Sequence, residues 1–222
     1  MGADAPKQFL PLAGRPVLMR TLERLHEALP EARLVVSLPE EQFDVWKELC
    51  HDHRFEIGHV LVAGGAERFD SVLAALERCG DCDLIAVHDG VRPLVSVEMI
   101  RRVVAQAEQH GSAVPVIAPV DSLRMVEGES SRPVDRACMR AVQTPQAFGA
   151  GMLRESYRRA QGQGGGRFTD DGTVVESAGH TIHLCPGEER NIKITKPIDM
   201  IVARALLGEE QAADGEGLPR KG

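Results

Sequence analysis

The chain has 222 residues, 43% hydrophobic and 27% charged, which fits one domain of generous size. A formal charge of −7 lacks the basic face that a phosphate backbone needs, so nucleic acid is excluded as a bulk partner. A small anionic substrate is not excluded, because a few lysines in one pocket suffice. No apolar run reaches the ~20 residues that cross a bilayer, no charged-then-apolar leader opens the chain, and five scattered cysteines suit a reducing cytoplasm. Cys79 and Cys82 form a CxxC, but no second pair has zinc spacing, so no metal or redox role is expected of them.

In chain order, Pro6-Lys7-Gln8-Phe9-Leu10-Pro11-Leu12 reads as the exit of a phosphate-binding loop. Leu18, Leu22, Leu25 and Leu29 then recur at helical spacing behind Pro16, which predicts a helix over 16–29. Arg33 to Leu38 predicts a buried strand, Glu40 to Cys50 a helix, and His59 to Ala63 a strand. Glu67 to Cys79 predicts a helix, Asp83 to His88 a strand, a helix capped by Ser96 follows, and Ala113 to Ala118 is a strand. This alternation means an α/β fold with a mostly parallel sheet and helices on both faces.

The pattern breaks after Pro119. Residues 121–136 read as a projecting hairpin around Glu127-Gly128-Glu129. A helix over 151–160, a glycine loop over 162–166, a helix over 170–178 and strands over 181–185 and 191–194 follow. The last helix is expected over 197–207, and the tail from Gly208 is expected to be flexible and disordered.

Four clusters fall at strand or loop ends, where α/β sheets bind ligands. Lys7 can neutralise triphosphate charge; taken alone it reads as a surface lysine on a loop. Gly64-Gly65 after a strand lets a ligand approach the backbone, and places Ser71 near the positive end of a helix; a plain strand-to-helix turn is the other reading. Val87-His88-Asp89-Gly90-Val91-Arg92-Pro93 delivers a carboxylate to a strand end, a good Mg²⁺ ligand for chemistry at phosphorus. The alternative there is an Asx turn with Arg92 paired to Asp89. Lys193 lies between Ile192 and Ile194 and shares neither of their faces, so it points to a cleft or to solvent. Thr169, after the glycine loop, reads as a helix cap or a substrate contact.

In this order, PKQFLPLAGRPVL, GGAERFDSV, VHDGVRP, VDR, QTPQAF, TDD and NIKIT resemble the 2-C-methyl-D-erythritol 4-phosphate cytidylyltransferase family, over Met1 to about Leu207. The resemblance implies a Rossmann-like nucleotidyltransferase fold as one domain over 1–207, and a homodimer exchanging an arm at about 120–137. It implies transfer of CMP from CTP to a polyol phosphate with Mg²⁺ present. By position it implies Lys7 and Lys193 as catalytic cations, Gly65, Ser71, Asp89 and Gly90 as nucleotide contacts, and Asp89 as the metal ligand. Arg92, Thr169 and Arg154 are implied on the substrate side. Arg154 enters because the family arginine expected near position 150 is here Ala150, one helical turn away. Family members also begin with an apolar strand and a glycine-rich loop bearing an arginine ahead of the position of Met1; a start assigned too late is the expected explanation, over an incomplete piece or a degenerate copy.

Ribitol-5-phosphate cytidylyltransferases share the nucleotide side and are the nearest alternative. A nucleotide-binding remnant and a nucleotide-sugar glycosyltransferase are the rivals from other classes. The three retained site residues weigh against the first, and the lack of an Asp-x-Asp motif at a strand end weighs against the second.

Overall fold

The computed structural model describes residues 6–161 and 168–215. From the amino end come β1 (Pro11–Leu12), β2 (Arg15–Pro16), α1 (Val17–Ala28), β3 (Leu34–Leu38), α2 (Phe43–Asp52), β4 (His59–Ala63), α3 (Arg68–Leu76) and β5 (Leu84–Val87). Next are α4 (Val97–His110), β6 (Ser112–Ile117), β7 (Leu123–Glu127), β8 (Ser130–Val134), β9 (Ala141–Val142) and β10 (Gln146–Gly149). The chain ends with α5 (Ala150–Gln161), α6 (Asp171–Ser177), β11 (Leu184–Pro186) and α7 (Pro197–Gly215). Within the span read as one domain, these elements form two compact units. One comprises residues 1–80, 89–100 and 190–222, the other 81–88 and 101–189.

In the first unit β3 and β4 pair in parallel, from Leu34 opposite His59 to Leu38 opposite Ala63. Val36 and Leu38 pack with Leu18, Met19 and Leu22 of α1 and with Trp46 of α2. Trp46 is fully buried and stacks on Phe9, with ring centroids 5.9 Å apart. Its indole N–H donates to His59 Nε2 at 2.8 Å, while His59 Nδ1 faces the Ile57 carbonyl at 2.8 Å. Those partners assign the ring proton to Nδ1. The segment carrying Lys7 is therefore anchored two residues on, by Phe9. A second apolar cluster joins Leu12, Val17, Val91, Leu94 and Ile194 to Met200, Ala203 and Leu207 of α7. The β1–β2 turn places both Ala13 and Gly14 at positive φ, as a two-residue hairpin turn requires; Arg20 donates to the carbonyls of Leu12 and Ala13 at 2.6 and 2.8 Å.

In the second unit the strand order is β11-β6-β10-β5, with β9 also on β6. Only β11–β6 is parallel there; β10 runs antiparallel to both β5 and β6, and β9 to β6. The sheet is thus mixed where a mostly parallel one was expected. The reason is β10, four residues beginning at the end of QTPQAF with too short an apolar run to announce a strand; it inserts between β5 and β6, which keep the expected common direction. Gln146, fully buried, ties β10 to the start of α6, its amide reaching Asp170 Oδ2 at 2.9 Å and its carbonyl accepting from Gly172 N–H at 2.8 Å. Tyr157 of α5 donates to buried Asp171 at 2.6 Å. These polar bonds satisfy groups that would be costly to bury alone. β7 and β8 form the expected hairpin, turning at Gly128 with φ +61°.

Other boundaries differ from the sequence reading. Residues 191–194 form no strand; Ile192 N–H donates to the Arg190 carbonyl at 2.8 Å and Ile194 N–H to the Val91 carbonyl at 2.9 Å. The strand expected over 181–185 is shifted to β11. α7 runs on through Gly208 to Gly215, because Glu209-Glu210-Gln211-Ala212-Ala213 are strong helix formers and one glycine costs only ~1 kcal/mol against them. The glycine loop over 162–166 lies outside the described residues, as do residues 216–222.

Candidate active site

Asp89 stands two residues beyond the carboxyl end of β5, in the turn that its own carbonyl closes by accepting from Arg92 N–H at 3.1 Å. The turn is pressed against α1. Buried Thr21 lies 3.0 Å from the Gly90 carbonyl through its hydroxyl, and a Cβ at Gly90 would lie 2.9 Å from Leu18 Cδ1. A side chain at 90 would require the end of Leu18 to shift.

Three cationic side chains meet the Asp89 carboxylate. Arg92 Nε donates to Oδ2 at 3.1 Å, Lys193 Nζ lies 3.1 Å from Oδ2, and Arg68 Nε lies 3.6 Å from Oδ1. Arg68 opens α3, whose amino end is closed by reciprocal Glu67 and Asp70 capping bonds. Lys193 is exposed because its neighbour Ile194, 2% exposed, is fixed in the apolar cluster. Asp89 and Arg92 side chains are each 11% exposed, against 32% for Arg68 and 41% for Lys193. Burial pushes the Asp89 carboxyl up, but Lys193, Arg68 and Arg92 together pull it lower, and the net shift is below the ordinary carboxylate range. One carboxylate among three cations leaves surplus positive charge, which favours an anionic ligand.

Beyond β4, Gly64 N–H closes the sheet end on the Leu38 carbonyl at 2.8 Å. Gly65 N–H donates to Ser71 Oγ at 3.1 Å, and Ser71 donates to the Glu67 carbonyl at 3.1 Å. A Cβ on Gly65 would come within 2.2 Å of Asp70 Cβ, so this turn requires glycine.

The sequence-predicted residues divide accordingly. Asp89, Gly90, Arg92 and Lys193 come together, and Arg68 joins them. Gly65 and Ser71 bond to one another at the amino end of α3. Lys7 sits in a 3-10 turn, Lys7–Phe9, exposed and without an ion pair among the described residues. Thr169 is exposed and is not the helix cap; Asp170 takes that place, accepting from Thr173 N–H at 3.1 Å. Being next to the first helical residue, Asp170 holds the cap position. Ala150 is buried at the start of α5, its N–H donating to the Asp83 carbonyl at 2.8 Å. Arg154 reaches back to Cys82, Nη2 to Sγ 3.8 Å, ahead of the amino end of β5, whereas Asp89 follows that strand's carboxyl end. Arg68 was given no definite role from its motif, and Thr21 was missed. Arg68 was visible only as a cation within GGAERFDSV, and nothing local marks Thr21.

Known proteins match this chain over most of its length. The family model for 2-C-methyl-D-erythritol 4-phosphate cytidylyltransferase matches residues 1–209. The chain belongs to this cytidylyltransferase family. Among curated relatives, the enzyme of that name from Bacteroides thetaiotaomicron is 44% identical over 207 residues, 93% of each chain. The Porphyromonas gingivalis enzyme is 44% identical over 208 residues, covering 93% of this chain and 91% of its own. The crystal structure of the cytidylyltransferase from Thermus thermophilus superimposes with a TM-score of 0.79 at 36% identity, covering 92% of this chain and 94% of that one. As a cytidylyltransferase-family member the chain is a nucleotidyltransferase with the Rossmann-like α/β fold, and the expectations for fold and enzyme class hold. No described helix is long and apolar enough to cross a membrane.

Proposed function

We propose that this chain transfers CMP from CTP to 2-C-methyl-D-erythritol 4-phosphate, giving the diphosphocytidyl polyol and pyrophosphate. The observation that carries this reading is the Asp89 carboxylate ringed by Arg68, Arg92 and Lys193. That cluster has surplus positive charge for phosphates, and its family names the nucleotide and the acceptor. An oxygen of the acceptor phosphate attacks the α-phosphorus of CTP, and the bond to the bridging oxygen breaks, so pyrophosphate departs with the electron pair. Lys193 orients and partly neutralises the attacking phosphate. Lys7 offsets charge that develops in the transition state. Gly65, Ser71 and Gly90 contact the nucleotide, and Thr169 contacts the acceptor. No covalent enzyme intermediate is required; alignment and electrostatics supply the rate.

The described residues contain no group of three or more His, Cys, Asp or Glu side chains placed to hold a metal. A protein-only metal cage therefore does not fit, but Mg²⁺ brought by nucleotide phosphates needs only one or two carboxylates, and Asp89 fits that need. When bound there, Mg²⁺ supplies charge neutralisation at the phosphates.

Val120, leading into the β7–β8 arm, and Val126 within it are 78% and 71% exposed, which supports a homodimer formed through the arm. Five free cysteines support a reducing cytoplasm as its location. The test is pyrophosphate release with CTP, Mg²⁺ and each acceptor. Release with methylerythritol phosphate is expected; release with ribitol 5-phosphate alone would overturn the acceptor assignment.

A further inference from the structure

We infer that Thr21 of α1 is a positioning residue, which aims the Asp89 carboxylate by fixing the peptide that follows it, a role that deepens the transferase reading and rests on it. Thr21 is 1% exposed, so its side chain meets neither nucleotide nor acceptor. Its hydroxyl lies 3.0 Å from the Gly90 carbonyl, 69 residues away in sequence, and 3.1 Å from the Val17 carbonyl of its own helix. A hydroxyl has one proton to donate. The Val17 carbonyl already accepts the Thr21 N–H in the regular helical pattern. No other donor among the described residues reaches the Gly90 carbonyl. The proton therefore goes to Gly90.

Two backbone bonds hold the Asp89 turn to itself and to the Lys193 segment. Arg92 N–H donates to the Asp89 carbonyl at 3.1 Å, and Ile194 N–H donates to the Val91 carbonyl at 2.9 Å. Thr21 supplies the hydrogen bond that ties the turn to a helix. That helix is a firm base, because Leu18, Met19 and Leu22 are buried in one apolar cluster and Val17 in the other. Leu18 and Thr21 are three residues apart and share a face of α1; Leu18 Cδ1 is the atom that a Cβ at Gly90 would meet at 2.9 Å. Leu18 gives the turn contact, which is non-directional, and Thr21 gives it a direction. The plane of the peptide after Asp89 is thereby set, and with it the carboxylate that stands 3.1 Å from Lys193 Nζ and 3.6 Å from Arg68 Nε.

The test compares T21V, T21S and T21A in the full chain, with D89N as the second site of a double-mutant cycle. T21V keeps the volume and loses the hydroxyl; T21S keeps the hydroxyl and loses a methyl. T21V is expected to lower kcat roughly tenfold with KM for CTP within about threefold, the pattern of misplacement. T21S should stay within about threefold of the wild-type kcat, although it melts about 2–4 °C lower. T21S against T21A isolates the same hydroxyl with the methyl absent from both, and serves if T21V does not fold. A kcat that follows the methyl, with T21S as slow as T21A, would make Thr21 a packing residue and overturn the inference. The T21V/D89N pair should be within about threefold of D89N alone, because both changes act through one carboxylate; losses that multiply would also overturn it. Amide exchange supplies a readout without turnover. The Arg92 amide, which closes the turn, should exchange about tenfold faster in T21V and T21A but not in T21S, while the β3–β4 amides keep their protection. Equal exchange at Arg92 in all variants would count against positioning. Wild-type chain that releases no pyrophosphate would count against the transferase reading, and the exchange result would still decide the role of Thr21.

Discussion

Lys193 Nζ and Asp89 Oδ2 stand 3.1 Å apart, although they come from opposite halves of the sequence. Asp89 is the carboxylate partner that Lys193, Arg92 and Arg68 share. Asp89→Asn keeps the shape and removes the charge. It should lower Mg²⁺-dependent turnover roughly 100-fold, the scale of losing one preorganised electrostatic group. It should also cost about 1–3 kcal/mol of stability, since the cations then face an amide. Steady-state kinetics and urea unfolding check both numbers; unaltered turnover would remove Asp89 from the site.

Gly65 has no room for a side chain, with Asp70 Cβ 2.2 Å from where a Cβ would lie. Gly65→Ala should destabilise by about 1–3 kcal/mol as the α3 cap shifts, and should raise KM for CTP because Ser71 moves with it. Gly58, with nothing within 4 Å of its Cβ position, is the matched control. Gly58→Ala should change stability by no more than about 0.5 kcal/mol. Equal effects at the two glycines would contradict the steric account.

Asp199 caps α7 by accepting from the backbone N–H groups of Thr195 and Lys196, each at 2.7 Å, and from the Thr195 hydroxyl at 2.9 Å. The Lys196 and then the Thr195 backbone bonds hold its carboxyl below the ordinary value. A lowered folded-state pKa means the stabilisation is complete above the unfolded value of about 3.9 and is lost as pH falls through the folded value. Asp199→Ala should therefore melt below wild type at pH 7, with the difference shrinking as pH falls below about 4. A gap in melting temperature that widened in acid would contradict the sign.

Val126, 71% exposed on β8's partner strand β7, tests the proposed dimer arm. Val126→Glu should leave monomer stability within about 0.5 kcal/mol, since the side chain is not part of the core. Sedimentation should shift from dimer to monomer, because an unpaired carboxylate in an apolar contact is costly. A variant that still sediments as a dimer would place the contact elsewhere.

Much of the site could be read from the chain because its residues sit where local rules act. Asp89 follows an apolar strand and precedes glycine; Lys193 alternates with isoleucines, one of which is buried. Arg92 could be anticipated as an Asp89 partner because only a turn separates them. Arg68 could not, because its contact with Asp89 depends on α3 and the Asp89 turn being brought together. The cap reading at Thr169 was off by one residue, because Asp170 lies next to the first helical residue and holds the cap.

Alternating periods of two and 3.6 residues, with glycines at strand ends, by themselves determined the α/β class and put Asp89 just beyond a strand end, whereas Lys193 was singled out by the resemblance of NIKIT to the family. These are properties of neighbouring residues. Tertiary structure alone decided that β10 inserts antiparallel between β5 and β6, that Arg68 completes the ring of cations, and that Arg92 spans to Asn191. Those outcomes depend on distant segments meeting in the one arrangement that buries their apolar faces and satisfies their polar groups together, which no local pattern encodes.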